Sequence, residues 1–123
     1  MFHYCLSLTS LYISNFDTSE ANMKRMFRAC SKITYIDIKN FNTQKVTIMT
    51  YLFDNCLLLD NLDISNFDTS KVTDMSFMFQ GWARFKTLNI KNFNTKNVRN
   101  MIGMFKGLTI LSSLDVSTFD TIS

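Results

Sequence analysis

Three cysteines and a single histidine are the side chains of this 123-residue chain best suited to nucleophilic or metal chemistry. Zinc sites use close pairs such as C-x-x-C, whereas Cys5, Cys30 and Cys56 are 25 and 26 residues apart. His3 has no partners at a spacing that indicates a catalytic triad. We therefore expect no enzymatic activity, no cofactor and no metal site. Free, buried thiols are expected, and a disulfide between stacked cysteines is the alternative.

Carboxylates alternate with amides at one position of a short sequence, ISNFDTS, that recurs along the chain in varied copies. Asp17, Asp68 and Asp120 alternate with Asn42 and Asn94. Both residue types hydrogen-bond to local backbone in turns, which is the role we expect, with a calcium site as an alternative. The alternation keeps like charges roughly 10 Å apart instead of roughly 5 Å in a stack of repeats. Inheritance from a duplicated two-repeat unit explains it equally well.

The phrase itself sets the organisation of the chain. ISNFDTS occurs at 13–19 and again at 64–70, with near copies at 38–44 and 90–96. A period of 25 or 26 residues runs through the chain, and such periods indicate stacked repeat units. The phenylalanines are Phe16, Phe41, Phe67, Phe93 and Phe119, and the threonines are Thr18, Thr43, Thr69, Thr95 and Thr121. We predict one domain over 1–123, with units of about 8–32, 33–58, 59–84 and 85–110 and partial units 1–7 and 111–123.

Each unit has two halves with different periodicity. The first half reads L-x-x-L-x-I, and its alternation predicts a short strand. The second half places Met49, Leu52, Phe53 and Cys56 at i, i+3, i+4 and i+7, which predicts a short helix. Stacked units of this kind predict an α/β solenoid. It would be a leucine-rich-repeat-like right-handed coil with a parallel sheet of about five strands on one side, near 11–14, 36–39, 62–65, 88–91 and 114–117, and short helices on the other.

All eight methionines and eleven of the twelve phenylalanines fall in the recurring apolar positions, and Phe77 is the exception. Recurrence indicates core residues and not a flexible binding surface. Trp82 takes the position of the cysteines, and Phe85 takes the position of Leu59. We therefore expect these two large residues to be buried and to widen the stack locally.

The combination of L-x-x-L-x-I with N-F-D-T-S-x-V-x-x-M-x-x-M-F-x-x-C resembles the repeat of BspA-like bacterial surface proteins. It is also similar to a repeat of mycoplasma lipoproteins, within the wider leucine-rich-repeat group. The resemblance covers essentially the whole chain. It implies a leucine-rich-repeat fold and a cell-surface or secreted protein that acts in adhesion or host contact. It supplies no catalytic residues.

The outward positions of the predicted strands form the candidate binding face, a strip that crosses all repeats. We expect this strip to bind a protein partner or host matrix. It contains two tyrosines, a residue type enriched in binding hot spots. A solvated sheet face in a structural spacer is the alternative. The candidate residues are Tyr12, Tyr35, Asp37, Lys39, Asn61, Asp63, Asn89 and Lys91.

Other partner classes are disfavoured by composition. A net charge of +3 does not indicate nucleic acid, and no apolar run approaches the roughly 20 residues of a membrane helix. The first residues lack the pattern of a signal peptide. The chain begins and ends within repeats, so we expect apolar surface at both ends of the stack and end-to-end self-association.

Overall fold

The computed structural model describes residues 1–120, and its regular secondary structure consists of four short strands. These are β1 (Ser10–Tyr12), β2 (Tyr35–Asp37), β3 (Thr87–Leu88) and β4 (Ser113–Leu114). They form two separate two-stranded sheets, β1 with β2 and β3 with β4, and both pairs are parallel. The register places Leu11 opposite Ile36 and Leu88 opposite Leu114. Thr121, the last of the recurring threonines, lies outside the described residues.

The predicted α/β solenoid of leucine-rich-repeat type is therefore wrong. Residues 1–120 contain no helix, and the five-stranded sheet is replaced by two pairs of strands. The strand predicted near 62–65 does not form, and each of the other four begins one residue earlier than expected. In the same part of the chain, no helix exists that is long and apolar enough to cross a membrane.

Backbone hydrogen bonds to the next repeat replace the predicted helices. In the segment that contains Met49 and Cys56, every second N–H donates to a carbonyl 25 residues later, as Phe53 does to Met78 at 3.0 Å. The intervening N–H groups each bond to the carbonyl three residues back and close four-residue turns, as Leu52 does to Met49 at 3.1 Å. A helix would require each N–H to bond four residues back. The repeats hence meet backbone to backbone, which a helix cannot do.

Two positions in each turn-rich segment have a left-handed backbone, and this conformation excludes a helix. The first is occupied by Arg25, Tyr51 and Phe77, with φ of 58°, 56° and 56°, and then by Gly103 at 63°. The second, four residues later, is held by Ala29, Asn55, Gly81 and Gly107. Because the left-handed positions recur every four residues, the chain returns to the same face at that interval. The apolar spacing alone therefore does not distinguish this segment from a helix.

Aromatic rings of successive repeats stack through the core. Phe27, Phe53, Phe79 and Phe105 lie parallel, with ring centroids 5.4, 6.1 and 6.1 Å apart and planes within 8°. The first three are completely buried, and aromatic pairs in this range contribute about 0.5–1.5 kcal/mol beyond burial. Trp82 and Phe85 are buried as expected, with centroids 4.3 Å apart.

Buried threonines form a second ladder between repeats. Thr69 Oγ1 donates to the carbonyl of Asn94 at 3.0 Å and accepts from the N–H of the same residue at 2.8 Å. Thr43 makes the same pair of bonds to Asp68, at 3.0 and 2.7 Å. Each hydroxyl thus joins the turn of its own repeat to the turn of the next.

Candidate binding face

The strand side of the molecule carries the candidate binding residues, and its N-terminal end is aromatic. β1 and β2 bring Tyr12 and Tyr35 together, with ring centroids 5.4 Å apart and planes at 46°. Tyr12 is 72% exposed and Tyr35 is 43% exposed. In the parallel register, Tyr12 is opposite Asp37 and Ser10 is opposite Tyr35, so the two tyrosines are diagonal neighbours on adjacent strands. The two rings form a solvent-facing aromatic patch.

Charged residues surround a small cavity next to Tyr35. The cavity measures about 200 Å³ and is lined in part by Asp37, Lys39, Asn61 and Asp63. Lys39 Nζ lies 4.0 Å from the Asp37 carboxylate, and the Asp37 side chain is 14% exposed. Asp37, Lys39 and Asp63 therefore share the wall of one cavity.

The carboxylates and amides of this face are bonded to their own backbone. Asp37 Oδ1 accepts the N–H of Lys39 at 3.4 Å, and Asn89 Oδ1 accepts that of Lys91 at 3.3 Å. Asp63 Oδ1 accepts both the hydroxyl and the N–H of Ser65, at 2.7 and 3.0 Å. These two bonds lower the pKa of the Asp63 carboxyl below its usual value. One oxygen of each side chain is committed to a turn.

The far end of the face is polar and charge-paired. Asn89 and Lys91 are exposed, and Lys91 Nζ lies 3.6 Å from the Asp115 carboxylate. They line a cavity of about 410 Å³ together with Asn61, Leu62 and Phe85. The eight candidate residues thus lie on one side but do not converge on a single pocket.

The cysteines occupy the interior and lack the surroundings of a reactive thiol. Cys30 and Cys56 are completely buried, Cys5 is partly buried, and all three are free. The thiols of Cys30 and Cys56 donate to the carbonyls of Phe2 at 2.9 Å and Phe27 at 3.2 Å. Burial raises the pKa of Cys30 to about 11 and raises that of Cys56 further. The expectation of buried, free thiols is confirmed for these two residues.

His3 lies on the surface against Tyr4, with ring centroids 4.2 Å apart. Desolvation and the nearby Arg28 lower the pKa of its imidazole. Across residues 1–120, no group of three or more His, Cys, Asp or Glu side chains is placed to hold a metal ion.

A partly buried ion pair on the turn side was not predicted from the sequence. Asp54 is completely buried, and the Nε of Arg28 donates to its Oδ2 at 2.8 Å. The Arg28 guanidinium also lies over the ring of Tyr51, 4.8 Å from its centroid. Burial raises the pKa of the Asp54 carboxyl, and Arg28 partly offsets this effect. The repeat alignment contained the signal, because Arg28 and Asp54 occupy the same position in successive repeats.

Asparagines also join neighbouring repeats through their side chains. Asn66 Nδ2 donates to the carbonyls of Ile38 and Phe41, at 3.3 and 2.9 Å. Asn92 makes the equivalent bonds to Ile64 and Phe67, at 3.0 and 2.9 Å. The recurrence of Asn before Phe in the phrase was the available signal.

Recurring units joined by backbone ladders, buried threonines and aromatic stacks define a repeat protein. The sequence profile of the family described as "Mycoplasma protein of unknown function, DUF285" matches this chain twice, at residues 1–61 and at residues 58–123. The two matches together span the whole chain, and the chain belongs to this family. Comparisons with curated proteins and with solved structures gave no match.

Proposed function

We propose that the chain is a non-enzymatic binding module whose strand side contacts another protein or host matrix. The observation that carries the proposal is the pair Tyr12 and Tyr35, two neighbouring tyrosines that face solvent on strands held by a packed core. Tyrosine offers a large rigid contact area at low entropic cost, and it is enriched in binding hot spots. The cavity beside Tyr35 supplies charged groups of both signs at its rim.

The resemblance of the repeat to that of BspA-like surface proteins supports a role in adhesion and a location at the cell surface or outside the cell. A structural spacer without a ligand is the second candidate function. It is favoured by the turn-bonded side chains of Asp37, Asp63 and Asn89, because these groups have a structural role already.

Binding of the full chain to cultured host cells and to immobilised matrix proteins tests the proposal. Replacement of both Tyr12 and Tyr35 by alanine is expected to weaken binding by about tenfold or more. Tyr4→Ala is the matched control, because Tyr4 is an exposed tyrosine that lies outside the strand face. A wild-type chain that binds none of these surfaces favours the spacer. A double variant that binds as well as wild type would contradict binding through Tyr12 and Tyr35.

A further inference from the structure

Strand pairing is interrupted in the middle of the candidate binding face. β2 pairs with β1 and β3 pairs with β4, whereas residues 61–63 between them belong to no strand. Backbone bonds flank the paired strands, as Thr34 N–H to Thr9 at 2.8 Å and Ser112 N–H to Lys86 at 3.0 Å. No equivalent bond joins 61–63 to either neighbour within the described residues. Asn61 and Asp63 are exposed, and Leu62 between them is partly buried.

The same repeats are tightly joined on the opposite, turn side. Met49, Tyr51, Phe53 and Asn55 each donate a backbone hydrogen bond to the next repeat, at 2.8–3.0 Å. The interruption on the strand side therefore is a local opening and not a separation of the repeats. It lies beside the two largest departures from the repeat pattern, Trp82 and Phe85. Their rings occupy positions that hold cysteine or leucine in the preceding repeat, and close packing requires the chain to yield around them.

The opening forms a groove that runs past residues 61–63. Three cavities, of about 200, 410 and 500 Å³, follow one another and share Asn61 in their walls. Leu62 and Phe85 give the middle cavity an apolar part. All three cavities therefore border the unpaired segment at Asn61.

The charges of the groove differ between its two ends. The cavity near β2 is lined by two carboxylates, Asp37 and Asp63, and one cation, Lys39. The cavity at the other end is lined by two cations, Arg84 and Lys86, and one carboxylate, Asp60. Arg84 and Lys86 are exposed, and neither belongs to an ion pair among residues 1–120. An acidic group on a ligand would hence be favoured at the Arg84 end.

We propose that this groove binds an extended peptide segment of a partner protein, aligned along residues 61–63 with an acidic side chain against Arg84 and Lys86. An extended backbone presents alternating N–H and C=O groups, which are the complements that the unpaired segment lacks. Leu62 and Phe85 receive an apolar side chain of the peptide, since side chains of a strand alternate between faces. The inference rests on the proposed binding function and specifies the ligand class for the centre of the face.

Selection from a displayed library of random peptides, about 12 residues long, against the full chain provides the probe. We expect selected peptides to carry Asp or Glu and to slow amide hydrogen exchange at 61–63. Methylation of alternate backbone nitrogens in a synthetic peptide is expected to weaken binding by about tenfold or more, because it removes hydrogen bonds but keeps the side chains. Binding that ignores this methylation would overturn the strand-like mode.

Charge reversal supplies the matched variants. Arg84→Glu with Lys86→Glu is expected to weaken peptide binding by about tenfold or more. Lys96→Glu with Arg99→Glu, which changes two exposed cations that do not line the groove, is expected to leave peptide binding unchanged. Failure to select any peptide that protects 61–63, while the two-tyrosine variant still loses adhesion, would reject the groove proposal and leave the proposed function standing. Selected peptides that bind through Tyr12 and Tyr35 and ignore the Arg84 and Lys86 changes would reject it as well.

Discussion

At the scale of single residues, polar groups between repeats are matched to one another. Thr69 serves the N–H and the C=O of Asn94 through one hydroxyl, and Trp82 Nε1 donates to the carbonyl of Phe53 at 2.7 Å. No buried side-chain nitrogen or oxygen in residues 1–120 lacks a hydrogen-bond partner. Since an unmatched buried polar group costs about 1–3 kcal/mol, the identity of these few residues matters more than the charge of the surface.

Replacement of Thr69 by valine tests the threonine ladder. The change keeps the shape of the buried side chain but leaves the N–H and C=O of Asn94 without their partner, and we expect a loss of about 1–3 kcal/mol in the free energy of unfolding. Thr73→Val is the control, because the Thr73 hydroxyl also donates to the preceding repeat, at 3.2 Å, but in an exposed position. Equal losses in denaturant unfolding would contradict the importance of burial.

Acid should destabilise the protein through its turn carboxylates. The hydroxyl and N–H of Ser70 lower the pKa of Asp68, and Ser65 and Ser117 lower those of Asp63 and Asp115 in the same way. A carboxyl with a lowered pKa in the folded state contributes stability above its ordinary pKa of 3.8. That contribution is lost as pH falls through the folded pKa, so the melting temperature should decline below about pH 4.

Asp68→Asn isolates one of these groups. Asparagine already holds the equivalent turns, where Asn42 Oδ1 and Asn94 Oδ1 accept an N–H two residues on, both at 3.1 Å. We expect the variant to fold with the same backbone bond and to lose less stability than wild type between pH 7 and pH 3. A melting curve with unchanged pH dependence would show that Asp68 does not contribute.

At the scale of the elements, the sequence predicted which residues meet but not the shape of the chain between them. The period correctly placed Phe53 beside Phe79 and Thr43 beside the turn of the next repeat. The apolar spacing of Met49, Leu52, Phe53 and Cys56 misled, because a turn every four residues gives the same spacing as a helix. Gly103 and Gly107, four residues apart in the last such segment, were the signal against a helix.

The sequence pattern predicted some features of the candidate face and missed others. Alternation in L-x-x-L-x-I correctly placed Tyr12 and Tyr35 outward. The absence of the strand predicted near 62–65 was not foreseen, because the residues of this segment fit the alternating pattern. The large side chains beside the opening, Trp82 and Phe85, come later in the chain. The Arg28–Asp54 pair was missed because charged residues at one position of successive repeats are usually exposed to solvent, so this position was not recognised as an ion pair.

Gly103 should be indispensable to the stack of rings on the turn side. Phe77 stacks on Tyr51, 4.8 Å between centroids, and a Cβ at Gly103 would lie 2.4 Å from the Phe77 ring. Gly103→Ala is expected to cost about 1–3 kcal/mol in unfolding free energy through this clash, in addition to about 1 kcal/mol for the left-handed backbone.

Two comparisons separate the clash from the backbone cost. Gly107→Ala also has a positive φ, but its nearest neighbour would be 3.4 Å away, so its cost should be smaller. In a Phe77→Ala background, Gly103→Ala should retain only the backbone cost. Additive effects of the two changes would mean that the ring does not depend on the glycine.

At the scale of the whole molecule, the core is continuous, but its protection declines towards both ends. Ring stacking and complete burial are concentrated in the central repeats, where Met49, Phe53, Met75 and Phe79 have no exposed surface. At the two ends, Phe2, Leu8, Leu114 and Phe119 are only partly buried, and Val116 is 44% exposed. Apolar surface of this kind favours association between molecules.

Self-association through these ends therefore remains our prediction for the isolated chain. Light scattering over a dilution series should show a mass that rises with concentration, since each end presents the same recurring apolar positions to solvent. Replacement of the exposed Val116 by aspartate should reduce the effect, whereas the same change at the exposed Ile48, in a central repeat, should not. A constant monomer mass at high concentration would contradict it.

The recurring turn-side junction between repeats has a consequence for the gene as well as for the molecule. Because units meet on this side through the same backbone donors, threonines and rings, excision of residues 39–64 would join Ile38 to Ser65 and place Phe67 where Phe41 had been. Recombination between gene segments that encode the identical stretches at 13–19 and 64–70 would add or remove two units at once, and the recurring positions would stay in phase. Such a gene can lengthen or shorten its product in steps of about 4.8 Å per unit, which adjusts the reach of the protein without any new packing solution.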